Sequence, residues 1–213
     1  MEKKPKQIES DRLIEISRLE RPHWEAGRFV AGADEVGRGP LAGPVVASVV
    51  LLPPGCLIDH VNDSKKLSET RREALYPIIL EKALSYGLGW VSPEQIDKMN
   101  IRNATLLAFR LSYEAMIKKP DVLFVDGRDK LDVPVEQVAI IHGDAVSHSI
   151  AAASIIAKVE RDRYMAAQHE LYPKYGFARN KGYGTAEHIA AIREAGSCPI
   201  HRKSFIGHFV GKS

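Results

Sequence analysis

The sequence predicts an α/β domain: one mixed sheet covered by helices. Three observations carry this expectation. Short apolar runs bounded by Gly, Pro and Asp recur along the chain, helix-spaced segments separate them, and no repeat or low-complexity linker interrupts the order. Two strand-like runs come first, a third follows one helix, and strands then alternate with helices, which is the pattern of a mixed sheet rather than of a sandwich or a bundle.

Taken in order, residues 8–24 carry Leu13, Ile14, Ile16 and Leu19 at spacings that suit one helical face, broken near Pro22. This leading helix reads as an appendage, so residues 1–27 are expected to form an N-terminal helical extension and residues 28–213 the fold proper. From Arg28, FVAGADEVG and PVVASVVLLPP read as two adjacent strands separated by a Gly-Pro-rich bend. Ser68-Glu-Thr-Arg opens a helix running toward Tyr86, which Pro77 is expected to kink or divide. YGLGWVS reads as a third strand, and Ser92 with Pro93 supplies the cap and first position of the next helix. Residues 101–118 form a strongly amphipathic helix, after which Pro120 and Asp121 lead into VLFVDG, an apolar run suited to a buried strand. VEQVAIIHGD reads as a further strand, and residues 145–172 as a long helix closed by Pro173.

Composition bounds the function classes. At 213 residues and 45% hydrophobic content the chain can bury one large core, and a 27% charged fraction excludes a disordered, collagen-like or coiled-coil protein. The net charge is +3, but residues 172–213 hold seven Lys or Arg against two Glu, which points to an anionic partner. Cys56 and Cys198 stand far apart with no neighbouring Cys, so they make neither a zinc pair nor a disulfide framework, and a reducing compartment is the simpler reading. The N-terminus lacks the apolar core of a signal peptide, and no stretch approaches the roughly 18 uninterrupted apolar residues of a membrane span. A cytoplasmic protein with no membrane partner is expected. A monomer is expected too, since no heptad seam asks for a second chain.

The candidate chemistry lies in the carboxylates. Asp34 and Glu35 follow FVAGA, Asp126 follows VLFV, and Asp144 stands just past VAII. Ligands of open α/β sheets sit outside strand ends, so these four carboxylates are expected to gather into one anionic cluster. Such a cluster must take up protons or divalent cations, and hard oxygen ligands without nearby Cys favour magnesium or manganese. Turn chemistry is the plainer reading of Asp126-Gly127 taken alone. It is a weaker account of three apolar runs that all end in a carboxylate.

The blocks GADEVGRGPLAGPVVASVV, NDSKKLS, VDG, HGDAVSHSIAAASIIAKVERD and KGYGT, in this order, resemble ribonuclease HII over residues 31–205. The resemblance implies the ribonuclease H-like fold, a central five-stranded mixed sheet flanked by helices with a C-terminal helical segment. Residues 28–213 would then be the catalytic domain, ending in a substrate-binding segment. It implies an endonuclease that cuts 5′ of ribonucleotides embedded in DNA duplexes, and the RNA strand of RNA/DNA hybrids, leaving a 3′-hydroxyl and a 5′-phosphate. Two divalent cations, Mg2+ or Mn2+, would sit on Asp34, Glu35, Asp126 and Asp144, which act mainly as ligands. No single carboxylate is assigned as general base, because coupled acids share their protons.

The same resemblance gives Gly37, Arg38 and Gly39 the task of offering main-chain groups to the ribose 2′-hydroxyl and the adjacent phosphate. Tyr183 would hydrogen-bond that hydroxyl and stack on the deoxyribose after the junction. An ordinary turn and a surface tyrosine are the plainer readings of these residues. Lys65 and Lys66, with Lys181, Arg202 and Lys203, are candidate phosphate contacts, and the HRKSF stretch is a candidate for touching the duplex. Ser147, Ser154 and Lys158 fall in the matching block but are given no catalytic role, helix-spaced Ile150, Ile155, Ile156 and Val159 read as core, and Glu160 and Asp162 read as solvated. His142 is given no role. Two rivals are weighed. Ribonuclease HIII, which prefers long hybrids, carries an added substrate-binding domain for which the 27 residues before the first strand are too short. A non-catalytic duplex-binding module would gain nothing from carboxylates facing phosphates.

Overall fold

The protein, described here from a computed structural model that covers residues 5–208, opens with helices α1 (Pro5–Ile16) and α2 (Arg21–Glu25). Strands β1 (Val30–Val36) and β2 (Val45–Leu51) follow, then α3 (Glu69–Lys82), β3 (Ser85–Val91), α4 (Pro93–Met99), α5 (Ile101–Glu114), β4 (Val122–Asp126) and β5 (Glu136–Ile140). The remainder is helical: α6 (Gly143–Val146), α7 (His148–Leu171), α8 (Phe177–Asn180), α9 (Ala186–Ala195) and α10 (Lys203–Ile206). The five strands form one sheet in the order β3-β2-β1-β4-β5. The β1–β2 and β2–β3 pairs are antiparallel, and the β1–β4 and β4–β5 pairs are parallel. This is the expected mixed sheet.

One face of the sheet packs on α5, where Ala31, Ala33, Val45, Ala47, Leu123 and Val125 meet Ala104, Ala108 and Phe109 in one apolar cluster. The opposite face packs on α7. Contact there is closest at Gly32: a Cβ at this position would lie 2.1 Å from the Ser149 carbonyl carbon and 2.2 Å from the Ile150 nitrogen. Only a residue without a side chain lets the helix backbone rest on the middle of β1.

Several boundaries differ from the sequence reading. The leading segment is two helices rather than one, and it packs into the fold. Leu13 and Ile16 enter the apolar cluster that holds Ala152, Ile155, Ile156 and Val159 of α7. Glu20, fully buried, accepts hydrogen bonds from the Ser147 hydroxyl (2.6 Å) and the Ser149 amide (3.0 Å). Its carboxylate therefore sits at the positive end of the longest helix in the described chain. Helix α3 runs through Pro77 undivided and stops at Lys82, because the Leu84 amide already pairs with the Leu51 carbonyl (2.8 Å) and starts β3. The expected single helix over residues 145–172 is interrupted at Ser147, whose extended backbone ends α6 and whose hydroxyl caps α7 by accepting from the Ile150 amide (3.2 Å).

Gly32→Ala should place a methyl inside helix backbone. We expect a loss of about 3 kcal/mol, the upper end of what an inserted methyl costs in a packed core, read as a lowered urea midpoint with unchanged slope.

Candidate active site

Strand alternation decides which carboxylates meet. In β1, Ala31, Ala33 and Glu35 face α5, while Val30, Gly32 and Asp34 face α7. In β4, Leu123 and Val125 face α5, while Val122, Phe124 and Asp126 face α7. Asp34 and Asp126 therefore project from adjacent parallel strands onto one face. Asp34 is not at a strand end, since β1 continues to Val36. Asp144 arrives from the turn that follows β5. There His142 takes a left-handed backbone (φ 56°), and the Gly143 amide donates to Asp126 Oδ1 at 2.6 Å. One carboxylate oxygen from each of Asp34, Asp126 and Asp144 lies within 4.8 Å of the others. Glu35, the fourth expected member, is not in this mutually close set; its carboxylate lies 3.3 Å from Arg38 Nη1, in a cleft that it shares with Thr105, Phe109, Asp126 and Arg128.

The trio is strongly anionic and poorly hydrated. Asp34 is 4% exposed and Asp144 5%. Burial, then the charges of Glu35, Asp126 and Asp144, push the Asp34 carboxyl well above the ordinary carboxylate range, although the Glu35 amide donates to it. Glu35 is raised as well: its burial, together with the charge of Asp126, outweighs Arg38. Burial raises Asp144, and the hydrogen bond and charge of Lys65, whose Nζ is 3.1 Å from Asp144 Oδ2, offset only part of this. Burial lowers Lys65 in turn, but its bond to Asp144 prevails and holds the ammonium above its usual value. Three hard oxygen donors and a surplus of negative charge fit a divalent cation of the magnesium or manganese type, with Asp34, Asp126 and Asp144 as the residues that would hold it.

The loop carrying Lys65 is braced from below. Asp63 Oδ1 accepts from the Lys65 amide (2.9 Å), Ser154 Oγ accepts from the Ser64 amide (3.3 Å), and the Arg72 guanidinium donates to the Ser64 carbonyl (2.9 Å). Arg72 is paired in turn with Asp162 (3.5 Å), which also holds Lys158 (2.6 Å). Asp162 is thus a buried brace rather than a solvated acid. Glu160 is half-buried and accepts from the Tyr76 hydroxyl. Lys66 is exposed near Arg12, Arg18 and Asn62.

The Gly37-Arg38-Gly39 segment leaves β1 over two buried arginines. Gly37 has φ 93°, and a Cβ there would meet Arg161 Nε at 2.3 Å. Arg202 donates from Nε to the Gly43 carbonyl (2.9 Å), from Nη1 to Arg38 (3.0 Å) and from Nη2 to Gly37 (2.5 Å). Arg161 does the same for Pro44 (2.9 Å), Ala42 (3.1 Å) and Lys181 (2.9 Å). In a trans peptide the N–H points opposite to the C=O. With the Gly37 and Arg38 carbonyls turned inward onto Arg202, the amides of Arg38 and Gly39 are turned outward, as a pair of donors beside the carboxylates. Tyr183 stands across from them, 43% exposed, its Cε1 3.9 Å from where a Gly39 Cβ would be.

Two expected phosphate contacts, and part of the stretch expected to touch the duplex, are corrected here. Arg202 is fully buried, with all its donors on main-chain carbonyls, so it cannot reach a phosphate. The Lys181 side chain is mostly covered and pairs with Glu69 (3.3 Å). Of the HRKSF stretch, His201 and Arg202 are buried, and the amides of Lys203 and Ser204 are tied to Asp97 (2.8 and 3.0 Å), leaving the exposed Lys203 side chain as its outward cation. Sequence reasoning missed Arg161, Glu20 and Arg72. One signal for Arg161 was present: it stands four residues after Ala157 and four before Met165, both core positions of α7.

Comparisons with known proteins agree with the motifs. A family model described as ribonuclease HII matches residues 31–208. The ribonuclease HII of Acetivibrio thermocellus is 51% identical over 95% of this chain and 79% of its own length, and that of Caldanaerobacter subterraneus is 50% identical over 93% and 83%. Among solved structures, the ribonuclease H2 of Pyrococcus horikoshii superposes with a TM-score of 0.70 at 26% identity, covering 85% of this chain and 98% of its own.

Because the folded Asp34 binds its proton more tightly than the unfolded one, the chelated protein should lose stability as pH rises from the usual carboxylate range through the raised value. Asp34→Asn should flatten that slope while abolishing cleavage. Thermal unfolding across pH in chelator checks it, and an unchanged slope would refute the placement of the charge.

Proposed function

The chain belongs to the ribonuclease HII family, and we propose that it nicks DNA duplexes immediately 5′ of embedded ribonucleotides and cuts the RNA strand of RNA/DNA hybrids. It is an endoribonuclease, a hydrolase that acts on nucleic acid. What supports the finer reading is that the chain leaving Asp34 and Glu35 on β1 turns two amides outward and meets an exposed tyrosine at Gly39.

We assign Asp34, Asp126 and Asp144 to holding divalent cations, Mg2+ or Mn2+, with Glu35 joining from the adjacent face. The chemistry such cations would supply is a lowered pKa for the attacking water and neutralisation of charge on the leaving 3′-oxygen. The amides of Arg38 and Gly39 would receive the 2′-hydroxyl oxygen and the neighbouring phosphate, a task that deoxyribose cannot complete. Tyr183 would close the pocket with its hydroxyl and stack its ring on the following sugar. Lys65 pairs with Asp144 and would turn to a phosphate oxygen once cations relieve the carboxylate, while Lys66 meets the backbone further along. Residues 28–213 would constitute the catalytic domain, with residues 1–27 as an extension. The working unit we propose is a single chain in the cytoplasm, a setting that suits the free thiols of Cys56 and Cys198.

The test is cleavage of a duplex carrying one ribonucleotide, in magnesium, manganese or chelator, with the cut mapped to the nucleotide. A metal-dependent nick 5′ of the ribonucleotide is expected. Cleavage of long hybrids alone would transfer the chain to a hybrid-specific activity. Tyr183→Ala should reduce cutting at the single ribonucleotide roughly 10- to 100-fold, the worth of one aromatic stacking contact, with a smaller loss in duplex binding. Equal losses in both would remove Tyr183 from ribose discrimination.

A further inference from the structure

Behind Tyr183 lies a buried pair of histidines that the reaction does not use. His188 Nε2 and His201 Nε2 are 3.0 Å apart, inside a box made by Tyr175 and Phe177, whose rings lie 4.7 Å from His201 and 5.3 Å from His188. His188 Nδ1 is 2.9 Å from the Tyr183 carbonyl oxygen, and the Cys198 amide donates to His201 Nδ1 at 2.9 Å.

These contacts fix both tautomers. A carbonyl only accepts, so His188 carries its proton on Nδ1, and in the neutral ring its Nε2 is an acceptor. His201 must then donate from Nε2, which leaves its Nδ1 to accept from the Cys198 amide at 2.9 Å, with the Cys198 Sγ (3.1 Å) and carbonyl oxygen (3.3 Å) near the same nitrogen. Hydrogen bonds therefore run in one direction, from the Cys198 amide through His201 and His188 to Tyr183. A proton added to Nε2 of His188 would set it against the N–H of His201. Burial lowers the basicity of both rings, His201 to about 4, with the neighbouring His188 contributing, so the chain stays neutral.

We propose that His188 and His201 are positioning residues that hold Tyr183 at the junction-reading angle, an inference that rests on the assignment of Tyr183 above. The Tyr183 amide donates to the Asn180 carbonyl (2.8 Å), and its own carbonyl receives both the Thr185 amide (2.8 Å) and His188. With three bonds on its main chain, the residue can be mobile at its ring but not at its Cα. His201 is also bridged to Ala42, and the next residue, Arg202, holds the Gly37 and Arg38 carbonyls. Residues 201 and 202 thus set both walls of the ribose pocket from one point: Arg202 the amide wall directly, His201 the tyrosine wall through His188.

The substitutions at His188 separate its two bonds. Gln carries an acceptor out to the Nε2 position but leaves nothing to donate to Tyr183, whereas Asn keeps a donor at the Nδ1 position and gives up His201. Rates on a single-ribonucleotide duplex and on a long RNA/DNA hybrid are compared as a ratio, with thermal unfolding alongside. His188→Gln should lower the ratio several-fold and His188→Asn should keep it, although both lose thermal stability. In a Tyr183→Ala background, His188→Gln should lower the ratio no further. Equal losses in the two His188 variants, or additive losses in the double variant, overturn the proposal. A normal ratio in His188→Gln while Tyr183→Ala lowers it overturns the proposal alone, and a normal ratio in Tyr183→Ala overturns the reading of Tyr183 on which it stands. Imidazole nitrogen NMR on the wild-type protein needs no variant to fold: neutral rings with the proton on Nδ1 of His188 and on Nε2 of His201 are expected, and a charged ring or a shared tautomer overturns the relay.

Discussion

The close approach of α7 to β1 at Gly32 is the contact from which the rest of the site takes its reference. With helix backbone resting on the middle of the first strand, the start of α7 lies over the face from which Asp34 and Asp126 project. The short turn before it, tied by the Gly143 amide to Asp126, then brings Asp144 to them. About one turn beyond Gly32's contact the same helix presents Ser154 to the Lys65 loop, and further along it presents Arg161 to the loop that follows β1. A single rigid element thus sets the carboxylates, the lysine opposite them and the floor of the ribose pocket.

The start of that helix is held with unusual care. Ser147 caps it, and the buried Glu20 from the N-terminal segment accepts from both the cap hydroxyl and a first-turn amide. Burial raises the Glu20 carboxyl, a cost that the hydrogen bonds and the positive helix end only partly offset. The N-terminal segment therefore holds the start of α7, directly after the one-turn helix that carries Asp144.

Charge is arranged in opposite ways on the two sides of the pocket. The carboxylates are crowded and undercompensated, which stores the repulsion that a divalent cation relieves. Arg161 and Arg202 are buried cations that form no ion pair with a carboxylate among the described residues, and burial pulls Arg202 down to about 9, with Arg161 adding to the effect. Six main-chain carbonyls stabilise them instead. Removing either guanidinium would strand those carbonyls, so the arginines fix loop shape more firmly than apolar packing could. The neutral histidine pair extends the same logic to Tyr183, where a directed bond rather than a charge does the fixing.

The sheet, its mixed order and most helix starts were legible in the sequence, because apolar period and capping residues act within a few positions of one another: Ser68 and Ser92 each cap a helix. The carboxylates were legible as a set for a similar reason, each standing after an apolar run. What the sequence alone could not decide was which of them face one another. Glu35 follows Asp34 by one residue, yet the pleat turns it toward Arg38 and out of the mutually close set, and Asp144 joins the trio only through a left-handed turn at His142. Nor could it distinguish Arg202, sealed beneath the Gly37-Arg38-Gly39 segment, from Lys203, exposed beside it. A cation on a short basic stretch has the same local signature whether it meets solvent or carbonyls more than 150 positions away in the chain, as Arg202 does with Gly37, and only the closure of the tertiary fold settles which.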